Sequence, residues 1–228
     1  MGQYWLVACP SEKEYAECLF AMKLGEMLFS SWPEFLVSLL LRKPSNISAR
    51  SSSSARPLLS PRDPWVGRWA GEPILCVGDY LKPGDLPIME QHGDLGIDTS
   101  LSLRLTAKNA YNDISDLPES WLSITRAARP CGRVLRNLTT KEYVREDGLA
   151  GGITLGHIVL LQICWSSDPS TSIQGGKYLA RGEWAGHLFD IVPLRTVELE
   201  WIDQTEKLWN DVDNLWKYNF GEDWEESW

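Results

Sequence analysis

Paired carboxylates are the side chains of this sequence best suited to chemistry. They occur three times with the spacing Asp-x-x-Glu, as Asp116/Glu119, Asp203/Glu206 and Asp223/Glu226. On a helix this spacing places both acids on one face, where they could hold a guanidinium or ammonium group or relay a proton. The competing interpretation is a capping box, because Asp116 and Asp203 each stand where a helix is predicted to begin. Capping is the favoured interpretation of these two pairs, and catalysis is the alternative.

Five further residues are candidates for contact with a substrate: Asp79, Asp190, Trp69, Trp184 and His187. The two aspartates stand in or beside apolar runs, where a carboxylate costs free energy unless it is paired or faces solvent. A turn cap also explains Asp79, and an outward-facing strand position also explains Asp190. The two tryptophans are favoured as core anchors over ligand platforms, and His187 is favoured as a structural residue.

Metal and cofactor chemistry finds no support in the sequence. The histidines are few and far apart, and the five cysteines show no CxxC spacing. No phosphate-binding loop, dinucleotide-binding fingerprint or nucleophile elbow occurs. The scattered cysteines and the lack of a leader-like or membrane-spanning apolar run predict a cytoplasmic protein without a membrane anchor. We therefore expect neither a metal nor a cofactor.

Charge is distributed unevenly along the chain. The formal net charge is −9, and residues 198–228 alone hold ten acids against two lysines. Two basic clusters precede this segment, one between Arg42 and Arg68 and one between Arg126 and Arg136. Either cluster could contact the phosphates of a nucleic acid. A solvated loop and a linker are the favoured interpretation of the two clusters.

Two stretches of the chain are nearly the same: GRWAGEPILCV at 67–77 and GEWAGHLFDIV at 182–192. Three further matches follow the same order: 6–15 with 134–143, Leu24-Gly25 with Leu155-Gly156, and 111–117 with 209–215. We interpret these matches as an internal duplication, with halves at 1–128 and 129–228. The two copies are expected to pack about a pseudo-twofold axis as one compact domain, with a shared site between them.

The pattern of apolar residues predicts an α+β fold, with a mixed or mainly antiparallel sheet and flanking helices. Strands are predicted at 4–9, 69–77, 133–138, 156–165, 183–192 and 196–202. Helices are predicted at 24–43 with a break at Pro33, from Ser115 or Asp116 to 128, and from Asp203 to about 220. Residues 43–64, which are rich in serine, are predicted to form a mobile loop.

Several motifs together resemble a known family: MGQYW at the N-terminus, VGDY after the first WAG segment, NLTTKEYVRED, ICWSSDPS and GEWAGHLFDIV. Fungal proteins carry this set, and shorter bacterial and phage proteins are similar. The chain also resembles the fungal arginine-containing cyclodipeptide synthases. That resemblance implies an enzyme of secondary metabolism that takes arginine and a second amino acid from aminoacyl-tRNAs and depends on an Asp-x-x-Glu motif.

The resemblance implies roles for particular residues. Asp116/Glu119 or Asp203/Glu206 would be the catalytic pair, and the basic residues between Arg42 and Arg68 and between Arg126 and Arg136 would grip tRNA. The expected function is therefore the tRNA-dependent synthesis of an arginine-containing cyclic dipeptide. The alternatives are a non-catalytic module that binds a ligand or partner protein, and another small biosynthetic enzyme such as a cyclase or isomerase. The sequence leaves the oligomeric state and the choice between the two acidic pairs open.

Overall fold

The computed structural model describes residues 4–17, 23–42, 64–81, 102–115, 132–165 and 182–220. The predicted serine-rich loop, except its last residue Pro64, and almost all of the predicted helix ending at 128 lie outside these ranges. The described strands are β1 (Trp5–Cys9), β2 (Glu14–Ala16), β3 (Leu75–Gly78), β4 (Asn112–Asp113), β5 (Arg133–Asn137), β6 (Glu142–Arg145), β7 (Cys164–Trp165), β8 (Phe189–Pro193) and β9 (Ile202–Asp203). The described helices are α1 (Leu24–Leu28), α2 (Trp32–Leu40), α3 (Leu103–Ala110), α4 (Leu155–Ile163) and α5 (Thr205–Phe220). Among the described helices, none combines the length and the apolar character that a membrane span requires.

The strands form two mixed sheets with the same plan. The first sheet has the order β4-β2-β1-β3-β7, and the second has the order β8-β5-β6-β9. In the first, β1 pairs antiparallel with β2 and β3, and β2 pairs parallel with β4. In the second, β5 pairs antiparallel with β6 and β8, and β6 pairs parallel with β9. The predicted α+β class with mixed sheets and flanking helices is confirmed.

The two WAG segments contact each other directly where the halves meet. The amide of Gly71 donates to the carbonyl of Phe189 at 2.6 Å, and the amide of Gly186 donates to the carbonyl of Ile74 at 2.7 Å. Between these two bonds, Pro73 and Leu188 form an antiparallel bridge. Each contact in one half therefore has a counterpart in the other. Such reciprocity is what a pseudo-twofold arrangement requires, and an internal duplication remains our interpretation of it.

Helices α2 and α4 occupy corresponding places and cross closely. The amide of Trp69 donates to the carbonyl of Leu39 near the end of α2, and the amide of Trp184 donates to the carbonyl of Gln162 near the end of α4. At the crossing, a Cβ atom on Gly156 would overlap the backbone of Pro33. Glycine at this position therefore allows the two helix backbones to approach each other.

The segments that follow these two helices are exchanged between the sheets. After α2, Leu41 forms a parallel bridge with Ile191 on β8 of the second sheet. After α4, the chain continues as β7, in which Cys164 pairs in parallel with Cys76 on β3 of the first sheet. Each half thus places a short piece of chain on the sheet edge of the other half.

Two of the sequence matches are wrong in the structure. Helix α4, which contains Gly156, corresponds to α2 rather than to the short helix that contains Gly25. The 111–117 segment does not match 209–215, because Asp113 lies in strand β4 whereas Asp211 lies within helix α5. The structure instead matches β4 with β9, since each pairs in parallel with the second strand of its hairpin.

Several predicted elements also need correction. The strand predicted at 156–165 is mainly helix α4, whose residues are buried on nearly every side, so its apolar pattern has no helical period. A capping box between Thr154 and His157 starts this helix. The WAG segments are turns, and their strands begin only at Leu75 and Phe189. Most of 196–202 is not strand either, and helix α3 was not predicted.

Other predictions are confirmed. Strand β1 lies within the predicted 4–9, and β5 lies within 133–138. The predicted break at Pro33 is real, because α1 ends before it and α2 begins with Pro33 in its first turn. The closing helix α5 begins two residues after the predicted start at Asp203. These elements have either a clear period or a strong start signal.

The main apolar core joins the two halves. Its largest fully buried side chains include Trp5, Phe35, Trp69, Phe189 and Trp216, which come from both halves. A side chain of this size contributes about 1.5–3 kcal/mol when it is fully buried. A second, smaller cluster lies on the other face of the first sheet, beneath α3. One face of the first sheet therefore packs in the main core, and its other face packs in the smaller cluster beneath α3.

Candidate functional site

A buried glutamate anchors the WAG tryptophan of the N-terminal half. Lys13 has a positive φ of 52°, and the turn it forms leads into β2 with Glu14 on the inner face. The Glu14 carboxylate accepts hydrogen bonds from the Arg68 guanidinium and, at 2.9 Å, from Nε1 of Trp69. The Arg68 hydrogen bonds lower the pKa of Glu14 despite its burial. Glu14 therefore remains ionised inside the fold.

The C-terminal half repeats this arrangement with one change. Lys141 also has a positive φ, 57°, and Glu142 follows it on β6. Glu142 accepts from Nε1 of Trp184 at 3.1 Å, but Gln204 at 2.8 Å takes the place of the arginine. Trp69 and Trp184 are 0% and 3% exposed, and each indole N–H has a protein acceptor. This placement is that of core anchors, the interpretation that the sequence favours.

His187 lies in a small polar cluster next to the second WAG turn. Its Nδ1 lies 2.9 Å from Nδ2 of Asn137, and Oδ1 of Asn137 accepts from the amide of Thr139 at 3.1 Å. Because Oδ1 of Asn137 accepts, its Nδ2 donates to the ring, so Nδ1 of His187 is an acceptor. At the corresponding place in the N-terminal half, Ser11 donates to Glu72 at 2.7 Å. His187 thus helps to hold the hairpin turn against the WAG segment.

Asp190 belongs to a row of side chains that crosses the second sheet. The strand register places Asp190 opposite Arg136, Arg136 opposite Tyr143, and Tyr143 opposite Asp203. Residues directly opposite one another on neighbouring strands share a face of the sheet. The row therefore joins two predicted site residues, Asp190 and Asp203, through Arg136, which belongs to a basic cluster predicted to contact tRNA, and Tyr143, which was not predicted as a site residue.

At the buried end of this row, Asp190 forms an ion pair. The Arg136 guanidinium donates to both carboxylate oxygens of Asp190, at 2.8 and 2.7 Å, and lies 5.1 Å from the Trp201 ring centroid. Arg42 donates to the same carboxylate at 3.1 Å. Asp190 is 0% exposed, whereas the Arg42 side chain is 57% exposed. The cost of burying Asp190 is therefore offset by two guanidinium partners.

Asp203 lies at the opposite end of the row and is exposed. Its Oδ1 accepts from the amide of Thr205 at 2.9 Å and from the Thr205 hydroxyl. Burial and the charge of the neighbouring Asp203 raise the pKa of Tyr143. Glu206 lies exposed in the first turn of α5. The Asp203 carboxylate is thus held in one orientation at the start of α5 while remaining accessible to solvent.

Asp113 in the N-terminal half makes the corresponding contacts with a serine and also accepts a hydrogen bond from a tyrosine. The Tyr15 hydroxyl donates to Asp113 at 3.0 Å, and Ser115 donates to Asp113 from its amide at 2.8 Å and from its hydroxyl. Asp113–Ser115 therefore corresponds to Asp203–Thr205. A sequence signal for this match exists, because Tyr-Asn-Asp-Ile-Ser-Asp at 111–116 and Trp-Ile-Asp-Gln-Thr-Glu at 201–206 both read aromatic-x-Asp-x-hydroxyl-acid.

The remaining predicted site residues are not joined to this row. Asp79 lies at the end of β3, where its Oδ1 accepts from the amide of Tyr4 at 3.3 Å. That contact agrees with a turn role. Asp116, Glu119, Asp223 and Glu226 lie outside the described residues. No contact between Asp79 and either Asp190 or Asp203 is found among the described residues.

The described basic residues of the two clusters are already paired with acids. Arg42 and Arg136 contact Asp190, Arg68 contacts Glu14, and Arg133 contacts Glu146 at 3.3 Å. These four arginines therefore have structural partners within the chain. Within the described ranges, no cluster of histidine, cysteine and acidic residues has the geometry to hold a metal ion. Comparison of the chain with protein-family models, with curated proteins and with solved structures finds no match.

Proposed function

We propose that the chain is an aminoacyl-transfer enzyme that forms an arginine-containing cyclic dipeptide from aminoacyl-tRNAs, with Asp203 and Glu206 as its acidic pair. The family resemblance supplies the reaction. The single observation that supports the choice of pair is that Asp203 is held by the amide and hydroxyl of Thr205 and is yet exposed. A carboxylate held in this way loses little side-chain freedom when it binds an ammonium or guanidinium group.

The chemistry asks little more of the protein than positioning and proton transfer. The α-amine of one aminoacyl group attacks the ester carbonyl of the other, so a C–N bond forms and the C–O bond to the tRNA breaks. A carboxylate accepts the proton that the amine loses and passes it to the leaving oxygen, so that the tRNA leaves with a free hydroxyl. A second transfer closes the ring. Since each ester arrives activated, this reaction needs no ATP and no cofactor.

The experiment compares acidic variants from the two halves. We expect soluble protein expressed in a bacterial host to yield a cyclo-arginyl dipeptide that mass spectrometry detects. Asp203→Asn and Glu206→Gln should reduce the product about a hundredfold or more, since a positioned group that transfers a proton typically contributes about 10²–10⁴-fold. Asp113→Asn is the matched control, because Ser115 holds Asp113 as Thr205 holds Asp203, but Asp113 lies outside the proposed site. Asp116→Asn and Glu119→Gln test the other pair.

The outcomes separate the alternatives. Loss of product in the Asp203 and Glu206 variants, with product retained in Asp113→Asn at equal thermal stability, supports the proposal. Loss confined to the Asp116 and Glu119 variants transfers the catalytic role to that pair. The absence of any cyclic dipeptide from soluble wild-type protein contradicts the enzyme proposal as a whole.

A second candidate function is a non-catalytic module that binds a ligand or partner protein. One observation favours it: Asp113 and Asp203 make the same contacts in both halves, as expected if each carboxylate stabilises the end of its sheet. This candidate predicts no dipeptide from the wild type. It also predicts that Asp113→Asn and Asp203→Asn lower the Tm by similar amounts in differential scanning calorimetry.

A further inference from the structure

Two buried cysteines face each other where the halves exchange chain segments. Cys76 lies on β3 of the N-terminal half, and Cys164 lies on β7 of the C-terminal half, directly opposite in the parallel register. Both are free thiols and both are fully buried. They are therefore neighbours in space although 88 positions apart in sequence.

The geometry suits a covalent bond between them. Neighbouring strands lie about 4.8 Å apart, and disulfides join cysteines whose Cα atoms are roughly 4.4–6.8 Å apart. Residues directly opposite each other also place their side chains on the same face. We propose that Cys76 and Cys164 form a site of reversible oxidation, at which a disulfide joins the two halves of the chain.

The oxidation needs an external two-electron acceptor, and diamide is a suitable probe. The two S–H bonds break and one S–S bond forms. The two electrons and two protons pass to the N=N bond of diamide, which becomes a hydrazine. A dithiol reductant reverses the change by thiol–disulfide exchange. The proposal concerns this cysteine pair alone and does not depend on the proposed enzyme activity.

Access to the pair requires local opening of β7. Both thiols are 0% exposed, and the amide of Gly182 donates to the carbonyl of Cys164 at 2.7 Å on the other side of β7. Burial raises the pKa of Cys164, so the reactive thiolate is scarce while β7 is in place. β7 has only two residues and lies at the edge of its sheet. Mild urea, which favours local opening, should therefore speed the oxidation.

Cys9 provides a matched control on the same sheet. It is a buried thiol whose strand neighbour is Glu14, and its Sγ lies 3.5 Å from Oγ of Ser11. Burial raises the pKa of Cys9 to about 11. Cys9 thus shares the burial and low reactivity of the pair but has no cysteine opposite it. Replacing it should leave the cross-link unchanged.

The test maps disulfides by mass spectrometry without reductant. The protein carries Cys18→Ser and Cys131→Ser, which remove the two cysteines outside the described residues, and is treated with diamide in urea below its unfolding transition. We expect an intact mass lower by two hydrogen atoms and one cross-linked peptide containing Cys76 and Cys164. Cys9→Ala should keep this product, and Cys76→Ala should lose it. Failure to form the link, or a link through Cys9 in protein that retains its native circular dichroism, overturns the proposal.

Discussion

The row across the first sheet and the row across the second occupy the same register but differ in chemistry. In the N-terminal half, the strands place Leu75 opposite Ala8. In the C-terminal half, the corresponding pair is Asp190 opposite Arg136. Both rows then continue through a tyrosine to an aspartate. The same arrangement of strands therefore holds an apolar pair in one sheet and an ion pair in the other. The arrangement of strands does not itself require the buried charges.

The difference follows from what covers each face. Helix α3 packs over the first row and supplies apolar side chains such as Leu103 and Ala107. In the second half, only residues 194–201 connect β8 to β9, and Trp201 lies over the guanidinium of Arg136. A buried ion pair is rarely more stabilising than an apolar pair of similar size. The outer face of the second sheet therefore carries a polar pair that stabilises the fold no more than an apolar pair would.

The largest expected effect comes from breaking the ion pair on one side. Asp190→Leu leaves the buried Arg136 guanidinium without its carboxylate, and we expect the free energy of unfolding to fall by about 3–5 kcal/mol. The double variant Arg136→Ala/Asp190→Leu copies the Ala8–Leu75 pair and should recover most of this loss. Urea denaturation measures both values. A double variant as unstable as Asp190→Leu would show that the two outer faces are not interchangeable.

A second prediction tests the contact between the halves. Gly156→Ala places a methyl group against the Pro33 backbone, and we expect a loss of about 3 kcal/mol from overpacking. Gly25→Ala is the control, because no atom lies within 4 Å of the Cβ it would add. That change should be neutral or stabilise the helix by up to about 1 kcal/mol. Equal losses in the two variants would contradict the close crossing of α2 and α4.

A third prediction uses pH to test the buried Glu14 cluster of the N-terminal half. Because Arg68 holds the pKa of Glu14 below its ordinary value of 4.5, the contribution of Glu14 to stability is complete above that value. It is lost as the pH falls through the pKa of the folded state. Glu14→Gln should therefore cost about 1–3 kcal/mol at neutral pH and flatten the acid side of the stability profile.

Arg68→Met is the control for this assignment. It removes the guanidinium that lowers the pKa of Glu14, so it should flatten the same acid limb while leaving the carboxylate in place. Urea titrations at several pH values below 5 measure both variants. An acid limb as steep in both variants as in the wild type would mean that other carboxylates set the acid sensitivity.

The smallest effects are expected at the tyrosine of each row, Tyr15 in the first sheet and Tyr143 in the second. Tyr15→Phe removes a buried hydroxyl that donates to Asp113, and we expect a loss of about 1–1.5 kcal/mol. Tyr143→Phe removes the corresponding hydroxyl at a partly buried site, where no hydrogen bond to Asp203 is lost, so about 0.5 kcal/mol or less should be lost. The difference in Tm between the two variants sharpens the contrast between a covered and a less covered face.

The repeated segments of the sequence predicted that the inner faces of the two sheets correspond. The elements that cover the outer faces could not be predicted. The matching WAG and KEY segments have their physical basis in the Glu14–Trp69 and Glu142–Trp184 bonds, which fix residue types at set positions. Helix α4 was predicted as a strand, because a helix buried all round has the same apolar run as a buried strand. Helix α3 was missed, since only two of its eight residues, Leu103 and Leu105, have large apolar side chains.

Only part of the candidate site could be predicted, because the partners of its aspartates lie on other strands. Asp190 stood out because an acid in an apolar run needs a partner, but its partner Arg136 lies on another strand and only the register identifies it. Asp203 was predicted from its spacing to Glu206, and the tyrosine beside it was not. The match of Asp113 with Asp211 followed shared letters, although strand pairing relates Asp113 to Asp203.

The reciprocal placement of Leu41 on β8 and of Cys164 on β3 has a consequence for how such a chain can arise and change. A gene encoding one half alone would produce a polypeptide whose sheet lacks its outermost piece. We expect the exposed sheet edge of such a product to need pairing with the other half or with a second copy of itself.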